Sequence, residues 1–282
     1  IAENNLFLLL ASLGISDKIF GKRIIPIGTI YDTFISRGLD ALNYATYIDA
    51  RFILVGTPSG VTLSHEGGAH QSVITPNIGI AQPNLVYYEP CYADELNFLL
   101  FWAFNFIQDK CGSSVYFRLS TKKLEQPNRK LSLEQKTSII KGCYWLKAPK
   151  DKNSIVIVCV GVMVEEVQKF INKSEDDNLN IGVLLVISPD KLYKDWESSK
   201  KQLNSVSFIE EILSCISKDN ALVTIIDGHS SALSWLGSVC GHRVYPLGVD
   251  NFGQSGELKE IYEYCDIDFK SIIDRIAKVL IN

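Results

Sequence analysis

Two of the chain's four histidines stand in one short segment, Ser64-His65-Glu66-Gly67-Gly68-Ala69-His70-Gln71, with a carboxylate between them. Imidazole is the side chain whose ordinary pKa lies nearest neutral pH. A histidine pair in a glycine-flexed loop therefore predicts proton transfer, substrate anchoring or metal binding. His65, Glu66 and His70 offer nitrogen and oxygen ligands, but two glycines break the spacing, which is not that of a helix-borne zinc motif. Metal binding stays an alternative, and no metal ligand is assigned. A second acid, Glu3, opens the first apolar stretch, where a helix N-terminus would also favour a carboxylate. Tyr31 and Phe34 put two rings on one helical face, in a pattern that core packing explains equally well. His229, in Asp227-Gly228-His229, and His242 read as packing or surface residues.

Alternating strands and helices must position these groups. Residues 4–13 read as an apolar helix and 22–27 as a short strand. Apolar or aromatic residues at 31, 34, 35, 39, 42 and 45 give near-helical spacing over 30–48. Strands are predicted at 51–56, 85–88 and 114–118, the last edge-like, with a helix over 92–107. Gly56-Thr57-Pro58-Ser59-Gly60 is a turn-rich loop. Pro90 ends a strand, and Asp94 with Glu95 opens the next helix. The polar stretch 119–136 reads as a linker, long for a compact protein. A second alternation follows, with strands at 154–160, 181–187, 221–226 and 243–247. Helices are predicted over 163–173, 206–217, 229–238 and, with a break, 258–281. This order predicts an α/β protein of two α/β domains with mostly parallel sheets, over residues 1–125 and 137–282.

Bulk composition narrows the function class. The chain has 282 residues, 46% hydrophobic and 21% charged, enough to bury a core. A net charge of −4 without long basic runs speaks against nucleic acid. Its longest apolar runs are too short to span a bilayer, so no membrane partner is expected. The cysteines at 91, 111, 143, 159, 215, 240 and 265 form no Cys-x-x-Cys pair, which points to a reducing, cytoplasmic compartment. Ile1 is not a usual translation start and a helix follows it at once, so the chain is expected to be part of a longer one.

The order of these segments resembles the thiamine-diphosphate enzymes of the transketolase group, and within it the homodimeric pyruvate dehydrogenase. Ile1-Ala2-Glu3 before an apolar helix resembles the family's Ile-x-Glu segment. The resemblance implies that Glu3 hydrogen-bonds the aminopyrimidine of thiamine diphosphate, as a carboxyl whose pKa is raised by apolar surroundings. It implies that Phe34, with Tyr31 nearby, stacks on that ring. The loop reads His-Glu-Gly-Gly-Ala-His-Gln-Ser where the pyruvate dehydrogenase pattern is roughly His-Glu-Asp-Gly-x-x-His-x-Gln-Ser. By resemblance Glu3, His65 and His70 are catalytic, His65, His70 and Glu66 bind substrate, and Glu66 orients the histidines or holds the loop. Gly67 replaces the acid of the pattern. Tyr88-Glu89-Pro90-Cys91-Tyr92-Ala93-Asp94-Glu95 resembles Tyr-Asp-Pro-x-Tyr-Ala-x-Glu of the pyruvate enzymes, where transketolases more often carry Arg-Pro-Ala-Asp. Pro246 to Ser255 resembles a run of the family's C-terminal domain, which is mainly structural and helps dimerise the enzyme.

The family binds Mg²⁺ and the diphosphate through a Gly-Asp-Gly segment, and this chain has none. The resemblance thus covers the pyrimidine-binding and C-terminal domains and implies a missing N-terminal diphosphate-binding domain. It further implies a homodimer, a lipoyl-bearing acyltransferase component as partner, and no activity in the isolated chain. The leading expectation is pyruvate decarboxylation with transfer of the acetyl unit to a lipoyl group. One alternative is a transketolase-type sugar-phosphate enzyme, which would need a basic group such as Arg37 or Arg51 near the loop. The other is a catalytically silent assembly subunit of the same fold.

Overall fold

Two sheets share one apolar core in the computed structural model, which describes residues 2–174 and 180–281. The first sheet holds β1 (Ile27–Ile30), β2 (Ile53–Gly56), β3 (Leu85–Tyr88) and β4 (Ser114–Arg118). All pair in parallel, in the order β1-β2-β4-β3. Around it lie α1 (Glu3–Gly14), α2 (Ser16–Phe20), α3 (Leu39–Tyr47), α4 (Thr75–Ala81) and α5 (Ala93–Phe106). The second sheet holds β5 (Cys143–Lys147), β6 (Ile155–Val160), β7 (Ile181–Val186), β8 (Leu222–Ile225) and β9 (Val244–Leu247), in the order β5-β7-β6-β8-β9. It is parallel except that β5 runs antiparallel to β7. Its helices are α6 (Leu133–Lys141), α7 (Val164–Ser174), α8 (Pro189–Lys200), α9 (Phe208–Leu213), α10 (Ser231–Ser234), α11 (Gly237–Cys240), α12 (Leu258–Tyr264) and α13 (Phe269–Ile281). The α/β class with two mostly parallel sheets is therefore as the sequence predicts.

Side chains alternate across each strand, so the inner strands serve two cores, while edge strand β1 buries one face only. Phe52 and Leu54 face α1 and α3, packing with Phe7, Leu10, Leu42 and Ala45. Ile53, Val115 and Phe117 face Leu99 and Ala103 of α5, in a cluster that runs on into Ile157, Cys159, Val183 and Ile225 of the second sheet. Val156, Val158 and Val160 point the other way, against Leu192, Ile209 and Leu233. Glu89 N–H donates to the Ile187 carbonyl (2.8 Å), and Ser188 Oγ donates to that of Tyr87 (2.6 Å), joining the sheets at the backbone.

Four local expectations change. The first strand begins at Ile27, not at residue 22, because Pro26 supplies no N–H for the ladder. The helical spacing over 30–48 resolves into a 3₁₀ turn, Asp32–Gly38, followed by α3. β4 is not an edge strand; it lies between β2 and β3 with all five residues buried. The stretch 119–136 is irregular only as far as residue 132, and α6 begins inside it.

Candidate functional site

Elements distant in sequence converge at the carboxyl ends of β1 and β2. Glu3 is the first residue of α1, and its side chain is only 12% exposed. Arg37 Nη1 donates to Glu3 Oε1 (3.0 Å). The same guanidinium lies 3.7 Å from the centre of the Phe34 ring. Phe34 stacks on Tyr31 (5.7 Å between centres, 28°) and meets the His70 imidazole edge-on (5.5 Å, 63°). Tyr31 Oη donates to Glu66 Oε1 (3.4 Å). Glu3, Tyr31, Phe34, Glu66 and His70 thus form one chain of contacts. His65 is exposed, in a 3₁₀ turn, Ser64–Glu66, and it is held through its backbone.

Charge at this cluster departs from expectation at one point. The Glu3 carboxyl lies below its ordinary range, not above it. Its own backbone N–H contributes most to lowering it, and the Arg37 guanidinium adds to this against the opposing effect of burial. An acid beside a cation is stabilised as carboxylate, so a raised pKa would need Arg37 to move. His70 Nδ1 is buried without a hydrogen-bond partner. A buried nitrogen without a partner, beside the Phe34 ring, can still take a hydrogen bond.

Beneath the cluster lies a buried charged hub that the sequence reading missed. Arg118, at the end of β4, donates Nε to Asp32 Oδ2 (2.9 Å), Nη1 to Glu89 Oε1 (2.7 Å) and Nη2 to the Asp227 carbonyl (2.7 Å). Its side chain and that of Asp32 are 0% exposed. Tyr116 donates to Asp32 and Tyr87 to Glu89. Burial pushes the Glu89 carboxyl up to about 7, against the pull of Arg118 and Tyr87. The signal was available, because Glu89 and Arg118 both close apolar strands of a parallel sheet, where polar groups gather. Their mutual contact was not.

Asp227 reaches across from the end of β8 to hold the histidine loop at its start. Its carboxylate accepts from the backbone N–H groups of Val61 (2.8 Å) and Thr62 (3.1 Å) and from Thr62 Oγ1 (2.5 Å). Gly60 has φ +74, and a Cβ there would lie 2.0 Å from Asp227 Oδ2, so only glycine fits. His229 N–H donates to the Val73 carbonyl (2.9 Å), and its Nδ1 faces Ser231 Oγ (2.8 Å). His242 is buried with Nδ1 facing the Asn220 carbonyl (3.1 Å), and burial pushes its pKa down.

A parallel α/β pair thus brings a carboxylate, stacked rings and a histidine loop together at its strand ends, where open α/β sheets commonly bind ligands. No family model matches the chain. By sequence it is similar to 1-deoxy-D-xylulose-5-phosphate synthase of Clostridium tetani, 22% identical over 258 residues, covering 90% of this chain and 38% of that protein. Transketolase 1 of Vibrio parahaemolyticus is 22% identical over 256 residues, covering 91% of this chain and 36% of that protein. The fold matches that of transketolase from Leishmania mexicana, with a TM-score of 0.78 at 17% identity over 98% of this chain and 36% of that one. It also matches a split-gene transketolase solved as an inactive beta4 tetramer, with a TM-score of 0.71 at 19% identity over 99% of this chain and 82% of that one. The homologues and structural neighbours are thus of the thiamine-diphosphate-dependent transketolase type. The narrower resemblance to pyruvate dehydrogenase is not shown. The chain spans well under half the length of the two sequence relatives.

Proposed function

We propose that the chain is the pyrimidine-binding part (residues 1–125) and C-terminal part (residues 137–282) of a thiamine-diphosphate-dependent, transketolase-type enzyme acting on ketose phosphates. The observation that carries this is the meeting of Glu3, Phe34, Tyr31, Glu66 and His70 at one set of strand ends. The similarity to transketolases favours sugar phosphates over pyruvate. So does Arg37, a half-exposed cation beside the site. The other basic candidate, Arg51, is buried against Asp49 and the Asp109 carbonyl.

The residues fit one end of the cofactor. Glu3 offers a shielded carboxylate to the aminopyrimidine, Phe34 a half-buried ring, and His70 an unpaired nitrogen. The chain carries no Gly-Asp-Gly segment, and the diphosphate and its Mg²⁺ are therefore assigned to a separate domain. When bound, thiamine diphosphate supplies an acidic ring carbon that adds to a ketone. Glu3 then anchors the ring, His70 holds or moves a proton at Nδ1, His65 presents a solvent-facing imidazole to the substrate, and Arg37 neutralises its phosphate. As a half-enzyme the chain works as a homo-oligomer completed by the diphosphate-binding domain. Among the described residues no helix is long and apolar enough to cross a membrane.

A second reading, oxidative decarboxylation of pyruvate with a lipoyl-bearing acyltransferase as partner, rests on Tyr88 to Glu95. Both of that segment's glutamates are buried and hydrogen-bonded.

The test completes the chain with a diphosphate-binding domain and supplies Mg²⁺ and thiamine diphosphate. Ketose phosphate with an aldose acceptor is compared with pyruvate-dependent dye reduction, for the parent and Glu3→Gln. Turnover of the sugar phosphate that falls on the order of 10²-fold or more in the variant is expected. Pyruvate turnover alone would move the assignment to the second reading. Silence with both would favour an assembly subunit.

A further inference from the structure

The geometry points to Ser255 as a positioning residue: the segment 251–256 after β9 latches the histidine loop and sets where the His65 imidazole stands. Ser255 Oγ donates to the His65 carbonyl (2.7 Å), and Gly256 N–H donates to the carbonyl of Ser64 (3.2 Å). Gln71 Nε2 returns the contact from the loop's far end. It donates to the Gln254 carbonyl (2.9 Å) and reaches those of Leu63 and Ser64 (both 3.5 Å). The two backbones meet through glycine. A Cβ on Gly68 would lie 2.5 Å from the Gly253 carbonyl oxygen, and one on Gly253 would lie 1.8 Å from Gln71 Oε1.

These contacts matter because the loop cannot hold itself. The Ser64–Glu66 turn is three residues of 3₁₀ helix, too short to persist alone, and Gly67 leaves it at φ +76. With Asp227 fixing residues 61–62 and the 251–256 segment fixing 64–65 and 71, the loop is clamped at both ends by the second half of the chain. His65 is then anchored through its carbonyl while its ring faces solvent. A solvent-facing acid–base group needs that combination, because its backbone must not drift as its proton comes and goes. Ser255 acts through His65 and touches no reacting atom. Its consequence for turnover rests on the thiamine reading, whereas the latch itself does not.

With only four histidines in the chain, imidazole Cε1–H spectra of ¹³C-histidine-labelled protein read each one separately. Parent, Ser255→Ala, Ser255→Thr and Gly253→Ala chains are compared without cofactor. Ser255→Ala and Gly253→Ala are expected to broaden or split the His65 and His70 signals, with linewidths about twofold larger, as a released loop exchanges between states. His229 and His242 should keep their positions, and Ser255→Thr should restore the parent pattern. Parent-like spectra for both Ser255→Ala and Gly253→Ala would overturn the latch. So would equal disturbance of all four histidines in both, because the contact would then support the fold and not the loop. In the completed enzyme, Ser255→Ala should lower kcat about tenfold with the cofactor Kd unchanged. Loss of the latch signal beside a normal Glu3→Gln response would sink this inference alone, and the reverse result would sink the thiamine reading alone.

Discussion

Arg37 engages both groups that the aminopyrimidine would need, the Glu3 carboxylate and a face of Phe34. A ring that enters against that face of Phe34 must displace the guanidinium, and Glu3 would then lose its cation. In the completed enzyme, Arg37→Ala is expected to raise the KM for the ketose phosphate about tenfold or more while the cofactor Kd falls or stays level. A rise in the cofactor Kd would instead make Arg37 part of the ring's support. Arg118 answers to a different logic. Removing it leaves Asp32 and Glu89 buried without their cation, so Arg118→Met is expected to cost about 3–5 kcal/mol in denaturant unfolding. Glu89 also makes stability depend on pH. Its carboxyl titrates at about 7 in the folded chain against an ordinary value of 4.5. The folded state therefore binds the extra proton between those values, and stability is full below 4.5 and falls as pH rises through about 7. Unfolding midpoints followed across that window should flatten in Glu89→Gln. Glu3, Phe34 and the histidine loop were legible in sequence because each stands in a patterned segment. The Arg37 contact and the Arg118 hub were not, because a charge in a turn or at a strand end looks the same in sequence whether solvent or another charge meets it.

Among the elements, α5 shows how one residue ties a helix start to a distant strand and to the irregular segment before α6. Glu95 accepts from the backbone of Cys91 (2.8 Å) and Tyr92 (3.1 Å), which lie just before the helix, and from Tyr144 Oη of β5 (2.5 Å). Arg129, inside that irregular segment, adds a fourth donor (3.0 Å). Glu95→Ala is expected to destabilise the chain by about 2 kcal/mol or more, read by thermal unfolding, and to expose residues 119–132 to protease before the rest opens. The capping role was visible in sequence, since Asp94 and Glu95 follow Pro90 at a helix start. The reach to β5 was not, because that strand is five residues long and follows Gly142 in a stretch where periodicity is short. β4 was misplaced at an edge for a related reason, since parallel order depends on crossovers that no local pattern records.

For the whole molecule, the alternation of strands and helices was enough for the class, while the way the two sheets join had to be seen. The exposed apolar side chains Leu8, Leu9, Ile19, Phe20, Ile24, Ile27, Tyr44 and Tyr47 all belong to the first 47 residues. If these side chains meet a second copy, Leu9→Glu with Phe20→Glu should lower the mass seen by light scattering and leave the circular dichroism unchanged. A larger consequence follows from the clamp on the histidine loop. Residues 60–73 are synthesised well before Asp227 and Ser255, which hold them. The first sheet can form on the nascent chain before those anchors exist, since earlier-made units fold first. A chain that stops short, or whose last strands fail to dock, keeps its histidines on a slack loop. The order of the histidine loop is thereby made to depend on residues laid down 166 to 190 positions later.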